Sequence, residues 1–265
     1  MPRIIDMHTH VFADAIAARA IPELAERSDL VPTFDGTLAG LLAEMDRAGI
    51  GIAVTQPVAT KPSQVVKINN WAAATASERI VPFGAMHPDL EDPATEIARM
   101  ASLGMRGFKM HTEYQAFQPD EDRLAPIFEA AAEQGMIVLF HAGHDAGVPT
   151  DHGRPQRFAR MLDRFPELTA VLAHMGGWML WDEVREHIAG RPVYLDTSFA
   201  HGHMTDDAFL ELLELHGASR VLFGTDGPWA DMTAEVAWMR RLPLAEEDRA
   251  AIFGGNAAAL LGLQI

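Results

Sequence analysis

A chain of 265 residues with no cysteine and a formal net charge of −16 excludes several classes of protein. It forms no disulfides and offers no sulfur ligands, so any metal must be bound through nitrogen and oxygen. The acidic balance argues against a nucleic-acid partner, because phosphate binding needs a basic face. An anionic small molecule stays possible as a partner, since the local field matters more than net charge. The sequence has no apolar run long enough to span a bilayer and no secretion signal, so we expect no membrane association and a cytoplasmic protein.

Short β-branched or apolar runs alternate with segments of helical spacing, which is the pattern of βαβ units and a parallel sheet. Eight strands are predicted, at Ile4–His8, Ile50–Gln56, Ile80–Met86, Gly107–His111, Ile137–His141, Ala170–His174, Val193–Thr197 and Val221–Thr225. Helices are predicted at Leu38–Ala48, Val66–Ser77, Ala94–Ser102, Leu124–Glu133, Phe158–Phe165 and Asp206–His216, with a last one at Ala257–Leu261. Asn256 is expected to cap that last helix.

Two long connections stand out from this alternation. Val11–Thr37 follows strand one, and Ala142–Pro155 follows strand five. Long loops at the catalytic face of a barrel often act as lids or specificity elements, and we expect that role for both segments.

Eight uninterrupted βα units predict a single-domain (β/α)8 TIM barrel of the α/β class over residues 1–265, rather than an open doubly wound sheet. The length is typical of this barrel, at about 250 residues. The segment after strand one, Thr9-His10-Val11-Phe12, lacks the glycines of a dinucleotide-binding or phosphate loop. In such a barrel the active site lies at the C-terminal ends of the strands.

Nearly every predicted strand ends in a titratable side chain. His8 and His10 are two residues apart, so in a strand they point the same way. Three neutral imidazoles and one carboxylate, from His8, His10, His141 and Asp226, suit one zinc ion, or manganese as the alternative, and leave a position open for water. Alone, His141 would be interpreted as a hydrogen-bonded core histidine and Asp226 as a helix N-cap. Their convergence on one rim favours a metal site.

Eight pieces of sequence occur in order from residue 4 to residue 263: IIDMHTHVF, ERIVPFGAMHP, GMRGFKMH, VLFHAG, AVLAHMGG, YLDTS, VLFGTDGPW and GGNAAALLGL. In this set the chain resembles the amidohydrolase superfamily, and within it the amidohydrolase-related group that contains aminocarboxymuconate semialdehyde decarboxylase-like enzymes. The resemblance implies a metal-dependent enzyme in which His8, His10, His141 and Asp226 are the ligands.

The same resemblance implies two catalytic residues. His174 matches the histidine that positions or activates the metal-bound water, and a histidine there can also carry that proton because its ordinary pKa is near 6.5. Asp226 is expected to bind the metal through one oxygen and to accept the proton of the water through the other. The alternative for His174 is a residue that only orients a ligand.

Lys109 and His111 both face the barrel interior if strand four is regular. We interpret them as a cationic pair that binds a carboxylate or carbonyl oxygen of the substrate. Two alternatives stay open for Lys109. One is an ion pair with Asp6 or Asp196, and the other is the carboxylated lysine that bridges two metals in binuclear members of the superfamily.

Two further residues are predicted to line the substrate pocket. His87 follows strand three, and Trp229 follows strand eight.

Two activities stay open, and the sequence favours hydrolysis. In the first, metal-activated water attacks a C–N or C–O bond of a small amide, lactone or ester. In the second, a non-oxidative decarboxylase removes carbon dioxide from a small carboxylic acid. The compact length favours the hydrolase, because decarboxylases of this group tend to be longer. A metal-free lactonase and a non-enzymatic barrel are less favoured, because the ligand set is complete. A homo-oligomer is compatible with the sequence.

Overall fold

Parallel strands alternate with helices in the computed structural model, which describes residues 3–264. The strands are β1 (Ile5–Thr9), β2 (Ile52–Thr55), β3 (Ile80–Pro82), β4 (Gly84–Ala85), β5 (Gly107–His111), β6 (Ile137–His141), β7 (Gly143–Asp145), β8 (Val148–Gly153), β9 (Ala170–Leu172), β10 (Tyr194–Asp196) and β11 (Val221–Leu222). The α-helices are α1 (Asp14–Ser28), α2 (Leu38–Ala48), α3 (Val65–Ala73), α4 (Pro93–Ser102), α5 (Ala125–Glu133), α6 (Pro155–Arg164), α7 (Trp181–His187), α8 (Asp206–His216), α9 (Met232–Arg241), α10 (Glu246–Ala250) and α11 (Asn256–Leu261).

The strands close into the predicted barrel. Hydrogen bonds join them in the orders β1-β2-β3 and β11-β10-β9-β6-β5-β4, all parallel. Phe83 separates β3 from β4, but its N–H donates to Thr55 O of β2 at 3.1 Å, so the two pieces form one barrel strand. Met7 N donates to Phe223 O at 2.8 Å, and Thr9 pairs with Gly227, which closes the ring between β1 and the segment after β11. The TIM-barrel prediction is confirmed.

Alternation along the strands sorts the side chains into two layers. In β6, Val138 and Phe140 pack outward against the helices, in the larger core cluster. Ile137 and Leu139 belong to the other cluster, which α11 joins through Ala257, Ala258 and Leu261. His141 has the same parity as Ile137 and Leu139, so it faces inward at the strand end.

Several barrel strands are shorter than predicted, and after two of them, β9 and β11, the chain has residues with unusual backbone angles. β9 ends at Leu172, and His174 lies in a 3-10 turn, His174–Gly176, with a φ of 59°. Asp226 lies beyond β11 with a φ of 69°. Positive φ costs free energy for a residue with a Cβ and is kept where surrounding contacts hold it, often at functional sites. Both residues are on the predicted rim.

The two predicted loops contain regular structure. Most of the 11–37 segment is helix α1, and the 142–155 segment contains the β7–β8 hairpin. Helix α1 carries no side-chain N-cap and has Pro22 in its interior, so two common signals argue against a helix here, although Asp14 in the first turn and Arg27 in the last turn suit the helix dipole.

The predicted cap of α11 is wrong. The Asn256 side chain makes no capping bond. Its Nδ2 instead donates to Ala218 O and Val221 O, both at 2.8 Å, and so ties α11 to the start of β11.

Across residues 3–264, none of the helices has the length and apolar content needed to cross a membrane.

Candidate active site

A cavity of about 830 Å³ opens at the C-terminal ends of the barrel strands. This volume lies in the range of small-molecule sites. Its lining includes these predicted site residues: His8, His10, Lys109, His111, His141, His174, Asp226 and Trp229. Its aromatic walls are formed by Phe12, Trp71, Tyr114, Trp178, Phe199 and Trp229. The cavity therefore combines a polar, titratable floor with apolar walls.

His8, His10 and Asp226 converge on one point of this floor. Asp226 Oδ1 lies 3.0 Å from His10 Nε2 and 3.4 Å from His8 Nε2. The other ring nitrogens face acceptors: His10 Nδ1 lies 2.8 Å from Gln56 O, and His8 Nδ1 lies 2.9 Å from Asp196 Oδ2. Since these oxygens only accept, both Nδ1 atoms carry the proton and both Nε2 atoms present lone pairs.

The charges of these groups fit a cation between them. Burial lowers the pKa of His8 to about 4, so its ring is neutral at physiological pH. Burial by itself raises the pKa of Asp226, but the close approach of His10 and His8 to its carboxylate holds that pKa below its ordinary value. Two lone pairs and a carboxylate that face one another suit a divalent ion, with the outer hydrogen bonds fixing each ring.

His141 and His174 repeat this arrangement beside the first group. His141 Nε2 lies 2.9 Å from His144 O, and His174 Nδ1 lies 3.0 Å from Ser198 O. The remaining nitrogens, His141 Nδ1 and His174 Nε2, are 3.1 Å apart. Burial lowers the pKa of both rings, so the facing nitrogens hold lone pairs that a proton or a cation must bridge. His141 is thus connected to the site through His174, and its role as the fourth ligand stays a prediction.

A second group of possible ligands consists of His111, His141 and Asp145. Tyr114 N donates to His111 Nδ1 at 3.3 Å, which leaves the ring proton on Nε2, 3.5 Å from Asp145 Oδ2. His141 Nε2, 4.0 Å from the same oxygen, carries the proton that His144 O accepts. Both nitrogens that face Asp145 are therefore donors. The arrangement fits a hydrogen-bonded cluster better than a second metal site.

Lys109 lies at the centre of the floor. It is buried, and its Nζ lies 3.1 Å from His8 Nε2. It makes no ion pair with Asp6, whose carboxylate instead accepts from Thr225 Oγ1 at 2.6 Å, Thr225 N at 3.0 Å and His8 N at 3.0 Å. Burial lowers the pKa of Lys109 to about 8, so the amine is mostly protonated at neutral pH.

His111 and His87 have different positions relative to the cavity. The His111 ring stacks between Tyr114 and His141, with centroids 4.0 Å apart on each side, and it lines the cavity. His87 is buried in the turn after β4, where its Nδ1 accepts from Asp89 N at 3.1 Å, and it does not line the cavity. The structure therefore gives no support to a substrate contact from His87.

The sequence predicted Asp196 only as a possible ion-pair partner of Lys109, whereas the structure places its carboxylate against His8 and His174. One carboxylate oxygen lies 2.9 Å from His8 Nδ1, and the other accepts from His174 N at 3.1 Å and Ser198 N at 3.0 Å. Burial by itself raises the pKa of Asp196, yet His8, the nearby His174 and the hydroxyl of Ser198 hold that pKa below its ordinary value. One buried carboxylate thus orients both a proposed ligand and the proposed acid–base histidine.

The sequence model of the amidohydrolase family matches residues 5–263, which confirms the resemblance predicted from the sequence. Among solved structures, 5-carboxyvanillate decarboxylase from Sphingomonas paucimobilis aligns over 100% of both chains with a TM-score of 0.77 and 22% identity. 2,6-Dihydroxybenzoate decarboxylase from Rhizobium aligns over 99% of both chains with a TM-score of 0.72 and 17% identity. 5-Carboxyvanillate decarboxylase from Novosphingobium aromaticivorans, complexed with manganese and 4-hydroxy-3-methoxy-5-nitrobenzoic acid, aligns over 99% of this chain and 96% of that chain, with a TM-score of 0.73 and 18% identity. No curated protein matches the sequence. At these identities the likeness shows the fold.

Proposed function

The chain belongs to the amidohydrolase family, and we propose that it is a metal-dependent, non-oxidative decarboxylase of a small aromatic carboxylic acid. This proposal reverses the order of preference that the sequence suggested. The observation that carries it is the composition of the cavity, in which Lys109 and the predicted ligands form the floor and six aromatic side chains form the walls. Flat apolar walls suit an aromatic ring, and a cationic floor suits its carboxylate.

The structural relatives support the same reaction. Those described above are decarboxylases of 5-carboxyvanillate or 2,6-dihydroxybenzoate, and one is complexed with manganese and a nitrobenzoic acid. They align with this chain from end to end, so its compact length does not argue against a decarboxylase.

We propose that His8, His10, His141 and Asp226 hold one divalent ion. Zinc and manganese both suit three imidazoles and a carboxylate, and manganese is the ion in the relative described above. When bound, the ion supplies a positive charge that attracts substrate oxygens and stabilises the negative charge that develops during the reaction.

The residues of the chain supply binding and a proton. The Lys109 ammonium donates to a carboxylate oxygen of the substrate, and the stacked His111 lies beside it on β5. Ser198 O holds Nδ1 of His174, so Nε2 is the atom that exchanges a proton. The bond between the ring carbon and the carboxylate breaks, its electron pair stays on the carbon, and that carbon takes a proton that Nε2 of His174 has first accepted from solvent water. One proton is consumed for each carbon dioxide released. Asp226 binds the ion through one oxygen, and its second oxygen is the alternative acceptor of the proton.

Product analysis tests this proposal. Zinc- and manganese-loaded protein is incubated with a series of hydroxybenzoic acids and, in parallel, with aromatic lactones and amides. We expect carbon dioxide and the decarboxylated arene in equal amounts, formed about 10²–10⁴-fold more slowly by His174→Asn. Formation of a new carboxylate from a lactone or amide, without carbon dioxide from any acid, would make the protein a hydrolase.

A further inference from the structure

At the mouth of the cavity, one cation makes no ion pair with any carboxylate of residues 3–264. Most arginines of this acidic protein lie within 4.0 Å of a carboxylate; Arg157 and Arg160 both pair with Asp120, for example. Arg27 lines the cavity, and no carboxylate among residues 3–264 lies within that distance of its guanidinium. The positive charge of Arg27 is therefore not neutralised by an ion pair in the part of the chain that the structure describes.

Contacts on two sides hold Arg27 in place. It lies in the last turn of α1, and its Nε donates to Gly147 O, in the turn of the β7–β8 hairpin, at 2.9 Å. Its guanidinium carbon lies over the ring of Tyr114, 5.4 Å from the centroid. This position suits a cation–π contact. Within residues 3–264, neither terminal nitrogen of Arg27 has a hydrogen-bond acceptor, so both stay free to donate.

The other charged residues at the mouth differ from Arg27. Arg19 lines the cavity from the same helix, but Glu23 lies 3.7 Å from its Nε. Lys67 lines the cavity from α3 and, within the described chain, makes no ion pair. Asp145, whose pKa burial raises to about 6, also lines the cavity and faces His111 and His141; the charge of Arg27 acts on it from beyond ion-pair distance. Among the described residues, Arg27 and Lys67 are thus the cations of the mouth that make no ion-pair contact.

We propose that Arg27 forms a second anion subsite, so that the substrate carries an anionic group at each end. The inference rests on the proposed function for the first group, the carboxylate at the Lys109 floor. The second group, at the mouth, accepts from the two terminal nitrogens of Arg27, a geometry that matches a carboxylate in a bidentate pair. The aromatic body of the substrate lies between the two cations, against the aromatic walls. The substrate class is therefore an aromatic diacid.

Binding measurements test this subsite without any need for turnover. Benzene-1,4-dicarboxylate and benzoate are titrated calorimetrically into the metal-loaded protein. The wild type is compared with Arg27→Gln, Arg27→Lys and the matched control Arg19→Gln, which removes a cation that is already paired. Circular dichroism confirms folding, and Arg27 is exposed, so its substitution leaves the core intact.

We expect the wild type to bind the dianion more tightly than benzoate. Arg27→Gln should weaken dianion binding by about three- to tenfold, as expected for a charge-assisted bidentate pair that is partly screened by solvent, and leave benzoate nearly unchanged. Arg27→Lys should be intermediate, and Arg19→Gln should keep the preference. The preference should also decrease between low and high salt.

Three results would overturn the subsite: no preference for the dianion in the wild type, an equal loss for both ligands in Arg27→Gln, or the same loss in Arg19→Gln. A protein that prefers the dianion but releases no carbon dioxide from any aromatic acid would refute the decarboxylase and keep the subsite.

Discussion

Replacement of Asp196 by asparagine tests how the proposed metal site is held. The Asn amide oxygen can still accept from His174 N and Ser198 N, as Asp196 Oδ1 does now at 3.1 and 3.0 Å. The amide nitrogen would then face His8 Nδ1, where the carboxylate oxygen now lies at 2.9 Å. Because an amide nitrogen only donates, His8 must accept through Nδ1 and carry its proton on Nε2. That proton would point at Asp226, where the proposed ion binds.

The expected loss is in metal affinity rather than in folding. Loss of a group that orients a ligand typically weakens metal binding by about 10–100-fold, which is about 1.4–2.7 kcal/mol. We expect the upper end, because Asp196 is fully buried and its replacement also removes a negative charge from the site. Both main-chain donors keep an acceptor, so the free energy of unfolding of the metal-free protein should change by about 1 kcal/mol or less.

The assay is a competition titration of zinc or manganese against a chelator of known affinity, with thermal unfolding of the metal-free protein measured in parallel. Ser198→Ala is the matched control, because it removes a hydroxyl 3.0 Å from His8 Nδ1 but keeps the carboxylate. It should bind metal much like the wild type. Wild-type metal affinity in Asp196→Asn, or the same loss in both variants, would refute the proposed control of the His8 tautomer.

Four further outcomes are expected. His141→Ala should lose most of its metal in elemental analysis, and full occupancy would remove His141 from the ligand set. His174→Asn should keep fold and metal while turnover falls by about 10²–10⁴-fold; near-normal turnover would leave His174 only an orienting role. Lys109→Ala should keep its single ion and lose more affinity for anionic ligands than for neutral ones, whereas two ions in the wild type, falling to one or none in the variant, would indicate a binuclear site. Glu235→Gln should raise the melting temperature more at pH 8 than at pH 5. Burial raises the pKa of Glu235 to about 7, so the contribution of this residue to stability is fully present below pH 4.5 and is lost as pH rises through 7. The gain is on the order of 1–3 kcal/mol at pH 8, and a benefit limited to low pH would contradict it.

Local pattern was sufficient for the barrel and for most of the rim. The alternation of short apolar runs with helical segments identified the eight barrel strands, although several bounds differ by a few residues. Because the carboxyl ends of parallel barrel strands meet at one face, polar residues at strand ends were expected to meet there too. His8, Lys109, His141, His174 and Asp226 do line one cavity. The alternation of side chains along a strand was sufficient to predict that Lys109 and His111 face the barrel interior.

Local pattern was misleading where the deciding contact lies elsewhere in the chain. Asn256 has the residue type and position of a helix cap. Its side-chain amide instead donates hydrogen bonds to the carbonyl oxygens of Ala218 and Val221. His87 follows a barrel strand like the other rim residues, yet the turn through Asp89 holds it away from the cavity. Helix α1 has no capping side chain at its N-terminus. Its buried residues, Ala17 and Ile21, pack against other parts of the chain.

By itself the sequence determined which side chains reach the rim, because strand period and strand direction are local properties of the chain. Only the tertiary structure decided what those side chains present to a ligand. The inward lone pair of His8 depends on Asp196, 188 residues away, and that of His10 depends on Gln56 O, 46 residues away. The position of Arg27 depends on Gly147, 120 residues away. A hydrogen bond sets a tautomer or fixes the position of a charged group only when both partners are in place. Partners that are brought together by folding cannot be predicted from their spacing along the chain.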